Sequence, residues 1–167
     1  FIRLYYKYEL ESSIEKQKKS FVEGFDSLIP HEEIRIFTPN ELNLLVCGIP
    51  KFDVEDFRKN IHYEYPLNSN SPVVKFFFSA ISKWNNEKLA KLLFFMTGCS
   101  RVPANGFKEF YKITGSYLRI QSGGTQSQLP SAVTCANTIS LPDYKSEKEL
   151  NEKLLKAIEY CNTFENI

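Results

Sequence analysis

The chain has 167 residues, 43% of them apolar and 14% aromatic, enough to bury the core of one ordinary domain or two small ones. Twenty-one Lys and Arg stand against twenty Asp and Glu, and a net charge of +1 supplies no general field that would draw the chain to nucleic acid or an anionic membrane. No apolar run approaches the roughly 20 residues that span a bilayer, and the opening FIRLYYKYELESS lacks the layout of a signal peptide, so the expected compartment is cytoplasm or nucleus. The only methionine is Met96, so Phe1 is not an initiator and a missing upstream part is expected.

In chain order, Ser12 and Glu15 have the spacing of a capping box and predict an amphipathic helix carrying Ile14, Phe21, Val22 and Phe25. Thr38, Pro39 and Glu41 combine cap, first-turn proline and box acid, LNLLVC follows, and Gly48 supplies the stop. GIPKFD is irregular and marks a boundary. DVEDFRKNIHYEY reads as a short helix with His62 at its charged end, and Ser71 with Pro72 opens the buried helix VVKFFFSAISKW. NNEKLAKLLFFMTG runs from an asparagine cap to Gly98 and is expected to pair with the helix before it.

From Tyr117 the pattern changes. SYLRIQ alternates, SGGTQSQ reads as a mobile surface loop, and AVTCANTISL is rich in short β-compatible residues. Ser146 and Glu149 form a last capping box ahead of Leu150, Leu154, Leu155 and Ile158. The chain is therefore α+β, a helical lead of about 50 residues followed by helices combined with a small sheet.

Cys47, Cys99, Cys135 and Cys161 lie 52, 36 and 26 residues apart, which matches neither a zinc ribbon nor a CxxC pair, so no metal is expected. Three of them fall on predicted helices or their ends and read as packing residues. Cys135 sits in the sheet region without a nearby His or acid, and neither His31 nor His62 has a sequence reason to pair with it. The glycines of GSYLRIQSGGTQ carry no GxxxxGK, so a phosphate-binding loop and a nucleotide cofactor are not expected.

LPSAVTCANTISLPDY resembles the active-site segment of HECT-type ubiquitin ligases through Leu129, Pro130, Thr134, Cys135, Asn137, Leu141, Pro142 and Tyr144. SIEKQKKSFVEGFDSLIP, FTPNELNLLVCG, DVEDFRKN, VVKFFFSAISKW, LLFFMTGCSRVPANGF and SEKELNEKLLKAIEY are similar, in order, to further blocks of the same domain. The wording of TCAN and LPDY is most similar to the ubiquitin-fusion-degradation branch. Val133 stands where the family often has His, and Ala136 where it often has Phe.

The resemblance implies an end piece of a two-lobed domain. Residues 1–48 would close the helical larger lobe, 49–52 would be the hinge, and 53–167 would be a C-lobe of helices on a small, mainly antiparallel sheet. It implies Cys135 as the acceptor of ubiquitin in thioester linkage, with Thr134, Asn137 or backbone amides facing the oxyanion. Phe164, fourth from the end, would be the tail aromatic that docks on the larger lobe. Glu165, Asp143 and the terminal carboxylate are candidate bases for the acceptor amine, and Arg101 is either a structural ion pair or a ubiquitin contact. The implied partners are ubiquitin, a conjugating enzyme recruited through the missing larger-lobe part, and protein substrates, without a cofactor. The competing reading is a catalytically inactive module that keeps the fold and binds ubiquitin.

Overall fold

The computed structural model describes residues 1–161, the side chain of Cys161 excepted. The chain divides into two compact units, Phe1–Val46 and Cys47–Ile167. Among the described residues, no helix is long and apolar enough to cross a membrane.

The first unit holds α1 (Ile2–Lys7), a π-helical turn (Tyr8–Ser12), α2 (Glu15–Asp26), α3 (His31–Ile34) and most of α4 (Pro39–Cys47). The expected Ser12 cap does not form. Ser12 lies inside the π turn, the Ser13 amide is already bonded to the Tyr8 carbonyl, and α2 starts from Ile14 without a side-chain cap. Ser12 is itself part of a helical turn, so it cannot take the non-helical backbone that an N-cap needs. The α4 box does form: Thr38 N–H donates to Glu41 Oε2 at 2.8 Å and Glu41 N–H donates to Thr38 Oγ1 at 3.3 Å. No residue of 1–46 is buried, so this unit has no core of its own.

The second unit carries the core. It contains α5 (Val54–Asn60), β1 (His62–Tyr63), α6 (Pro72–Ile81), α7 (Asn86–Thr97), a 3-10 turn (Phe107–Glu109), α8 (Phe110–Thr114), β2 (Arg119–Ser122), β3 (Ser131–Val133), β4 (Thr138–Leu141) and α9 (Glu147–Cys161). Gly48, at φ +77°, turns the chain so that Ile49 bridges Val102, with Ile49 N–H donating to the Val102 carbonyl at 2.6 Å. Asn86 then fixes the next residues, accepting from Phe52 N–H at 2.8 Å and donating to the Pro50 carbonyl at 2.7 Å. Asp53 caps α5 by accepting from the Glu55 and Asp56 amides at 2.8 and 3.1 Å.

Three expectations need correction here. His62 and Tyr63 form a strand rather than a helix end, because His62 N–H and Glu64 N–H find the carbonyls of Leu118 and Ile120. The sheet, in order β1-β2-β4-β3, is mixed rather than mainly antiparallel: β1–β2 and β2–β4 are parallel and only β3–β4 is antiparallel. Residues 64–118, with α6, α7 and α8, provide the long crossover that a parallel β1–β2 pair requires. Finally, α6 and α7 do not pair chiefly with each other; both pack against α9, and α7 also covers β3 and β4.

β4 is buried along its whole length and Ile139 sits beside Ile120 in the centre of the sheet. The core continues through Leu92, Leu93 and Met96 of α7 into Leu150, Leu154 and Ile158 of α9. Phe52, Phe57 and Phe107 close the other end, with ring centroids 4.9 to 5.1 Å apart. Each fully buried side chain of this size contributes about 1.5–3 kcal/mol through burial.

Candidate active site

The cysteine turn is built from two strands and a loop that holds them. β3 and β4 pair from Ser131↔Ser140 to Val133↔Thr138, and Thr134–Ala136 closes the connection as a single 3-10 turn. Cys135 is the middle residue of that turn and is exposed. The TCAN stretch is thus not strand, as its composition suggested. The residue that breaks the strand is Asn137, left-handed at φ +51° and ψ +38°, the only non-glycine with positive φ among the described residues. Asparagine tolerates this conformation better than other side chains with a Cβ.

Asn137 is 4% exposed, and its side chain is already engaged. Nδ2 donates to Thr114 Oγ1 at 2.9 Å and to the Ser116 carbonyl at 3.2 Å. Its backbone N–H returns to the Thr134 carbonyl at 3.1 Å, and its carbonyl accepts from Arg119 N–H at 3.0 Å. Ser116 Oγ donates to the Ala136 carbonyl at 3.2 Å, and Thr138 Oγ1 donates to the same oxygen at 2.9 Å. With α7 packed against the turn, Cys135 is presented to solvent on a rigid support.

Thr114 and Ser116 were not visible as site residues in the sequence. The signal that could have found them is the Thr-Gly-x helix stop, which occurs twice. Thr114 Oγ1 donates to the Phe110 and Ser116 carbonyls around Gly115, and Thr97 Oγ1 donates likewise to Leu93 and Cys99 around Gly98. Both glycines are left-handed, at φ +72° and +75°. The first copy turns its carbonyl and hydroxyl toward Asn137.

Of the other candidates, Thr134 is exposed and its hydroxyl makes no hydrogen bond among the described residues. Asp143 is ion-paired with Lys145 and follows the far end of β4, about 10 Å along the strand from the cysteine turn. Phe164 and Glu165 lie outside the described residues. Arg101 is exposed and has no ion pair among the described residues. Cys47 and Cys99 are exposed as well, contrary to their expected packing role. The His62 ring lies against Tyr117, centroids 4.2 Å apart and planes tilted by 42°. Among the described residues, no three His, Cys, Asp or Glu side chains gather as metal ligands.

The Ser, Gly and Gln loop is anchored rather than free. Tyr144 Oη donates to the Gln128 carbonyl at 2.7 Å, Gln126 Nε2 donates to Glu149 at 3.0 Å, and Lys153 bonds the Gln126 carbonyl. Burial, and next the Glu149 charge, push the Tyr144 phenol up to about 12, so it remains a donor throughout the neutral range. Glu149 also receives Lys145 N–H, so the expected reciprocal box with Ser146 is only half made: Glu149 N–H donates to Ser146 Oγ at 3.2 Å.

A family model described as HECT-domain (ubiquitin-transferase) matches residues 1–167. The chain is 39% identical over 168 residues to E3 ubiquitin-protein ligase Nedd-4 of Drosophila melanogaster, covering all of this chain and 17% of the fly protein. It is 40% identical to NEDD4 of Homo sapiens, all of this chain against 13% of the human protein. It is also 36% identical over 160 residues to RSP5 of Saccharomyces cerevisiae, 95% of this chain against 20% of the yeast protein. The chain therefore spans a fifth or less of these relatives. The expected affinity to the ubiquitin-fusion-degradation branch is not supported, since the similarity runs to ligases of Nedd4 and Rsp5 type; a short stretch around a shared cysteine carries little branch information. The chain belongs to the HECT-domain (ubiquitin-transferase) family.

Proposed function

We propose that the protein is a ubiquitin-protein ligase in which Cys135 carries ubiquitin between a conjugating enzyme and a lysine amine. The observation that carries this reading is the exposed Cys135 at the middle of a turn fixed by Asn137, Thr114 and Ser116. In the first step the Cys135 thiolate attacks the thioester carbonyl of the charged conjugating enzyme, a tetrahedral oxyanion forms, and the other thiolate leaves. Sulfur replaces sulfur, so no dedicated base is required beyond what ionises the thiol. In the second step a neutral amine attacks the new thioester, Cys135 thiolate leaves, and the amine proton passes to a base.

The geometry divides the roles of the neighbours. Thr134 has an unengaged hydroxyl and is the side chain suited to meet the oxyanion. Asn137 is a positioning residue, because its amide hydrogens are committed to Thr114 and Ser116. Residues 1–48, of which 1–46 contain no buried residue, are proposed as the closing helices of the larger lobe, with the hinge at 49–52 and the C-lobe over 53–167. The conjugating enzyme would be recruited by sequence upstream of them. Phe164 and Glu165 are proposed as the tail docking group and a candidate base. Cytoplasm or nucleus is the proposed compartment, where a free thiol is maintained.

A ubiquitin whose C-terminus bears a thiol-reactive electrophile tests the reading. Peptide mapping should find Cys135 labelled well ahead of Cys47 and Cys99, although all three are exposed. Equal labelling of the three would favour the inactive, fold-keeping module.

A further inference from the structure

At the β1 edge of the sheet, opposite the β3 edge that leads into Cys135, α5, β1 and α6 enclose an open cavity of about 430 Å³. Arg58, Lys59 and Lys75 line it together with Tyr63 and Ser69, both hydroxyl-bearing, and no acidic residue is among its lining residues. That asymmetry is unusual for a chain whose charges nearly cancel, at +1 overall.

Arg58 packs against a ring of α6 and an acid of its own helix. Its guanidinium lies 4.5 Å from the centroid of the buried Phe78 ring, and Nε is 3.9 Å from Glu55 on the same helix. Cation–π contact on one face leaves the terminal N–H groups free in the ring plane. Lys59 and Lys75 form no salt bridge among the described residues. Burial raises the Tyr63 phenol, which keeps its hydrogen at neutral pH. Ser79 and Ser82 also border the cavity, but their hydrogens go to Glu147 Oε2 at 2.7 Å and the Ser79 carbonyl at 2.9 Å. Glu147, which accepts from Ser79 behind that wall, is ion-paired with Lys83.

We propose that this cavity binds a phosphate monoester, with Arg58, Lys59 and Lys75 meeting the charge and Tyr63 and Ser69 donating to the remaining oxygens. A single carboxylate would leave most of these donors and two of the cations unanswered, whereas a tetrahedral dianion with three terminal oxygens uses both. The expected source is a phosphorylated side chain of a protein held by the catalytic unit. The cavity lies at the sheet edge opposite β3, so phosphate binding can be measured separately from thiol chemistry at Cys135.

The test is an NMR titration of the whole chain with O-phosphoserine, a phosphoserine peptide, inositol hexakisphosphate and, as controls, serine and sodium chloride at matched ionic strength. Saturable shifts confined to the neighbourhood of residues 58–63, 69 and 75 are expected with the phosphoryl compounds and not with the controls. Arg58→Gln should weaken binding about tenfold or more. Lys75→Gln, at an exposed position that leaves the Phe78 contact intact, should weaken it severalfold without altering the fold. Tighter binding of inositol hexakisphosphate than of the peptide would keep the phosphoryl chemistry and overturn the protein source. Shifts spread over all surface lysines, shifts reproduced by chloride, or unchanged affinity in both variants would overturn the site itself.

Discussion

Replacing Asn137 probes the support under Cys135 without touching the thiol. In Asn137→Ala two side-chain hydrogen bonds are lost, to Thr114 Oγ1 and the Ser116 carbonyl. At about 1 kcal/mol each they amount to roughly 2 kcal/mol, with little further penalty, because Thr114 Oγ1 still accepts from Ser116 N–H and donates to the Ser116 carbonyl. Alanine at φ +51° adds about 1 kcal/mol that asparagine partly avoids. The expected loss is therefore about 3 kcal/mol for alanine and, since glycine is free of the left-handed cost, about 2 kcal/mol for Asn137→Gly. Urea unfolding followed through Trp84 suits the measurement: it is the only tryptophan and its Nε1 donates to Asn151 at 2.8 Å within the second unit. If both variants unfold within about 0.5 kcal/mol of wild type, the network contributes nothing and the rigid-support argument fails.

Three further outcomes follow from the same structure. The Asp56 and Glu55 amides hold the Asp53 carboxyl below its ordinary value of 3.8, so its stabilisation is complete above that pH and is lost as pH falls through the lower folded value. Asp53→Asn, which still caps, should leave the neutral-pH urea midpoint nearly unchanged and make its acid decline shallower. Tyr144→Phe should cost about 1–2 kcal/mol by leaving the Gln128 carbonyl unpaired, read as a lower urea midpoint. Because the folded phenol is raised to about 12 from 10, the same variant should also remove part of the stability lost between those two pH values. Gly48→Ala would place Cβ 2.3 Å from the Val102 carbonyl oxygen at a φ of +77°, and should cost at least about 2 kcal/mol and release the Ile49–Val102 bridge, visible as faster amide exchange at both residues.

Helices were legible where the chain offered both a cap and a stop. Thr38 and Glu41 with Gly48, and Asn85 with Gly98, mark such elements, and local chemistry decides them. Ser12 looked the same locally and failed because it lies inside the helical turn that precedes α2. Strand direction was not legible at all. Two-residue β1 is defined by carbonyls of Leu118 and Ile120, more than fifty positions away, and no local period encodes that partnership.

The site divides in the same manner. Cys135 was singled out by the residues around it in sequence, whereas its exposed placement depends on Asn137 adopting a left-handed turn and on Thr114 and Ser116 reaching that residue from a different element. A side chain read as a donor to the reaction proved to be engaged in the scaffold. Thr134 and Asn137 sit within three positions of each other in sequence, and only the fold separates the exposed hydroxyl from the buried amide.

The central claim is that Cys135 holds ubiquitin, and one measurement addresses it most directly. The HECT domain, including its upstream part, is incubated with charged conjugating enzyme and resolved without reductant, as wild type, Cys135→Ala and Cys135→Ser. The account predicts a ubiquitin adduct of wild type that thiol reductant removes, none on the alanine variant, and on the serine variant an oxyester that resists reductant and yields to alkali. A reducible adduct that persists in Cys135→Ala, or its absence from folded wild type across a panel of conjugating enzymes, would contradict it.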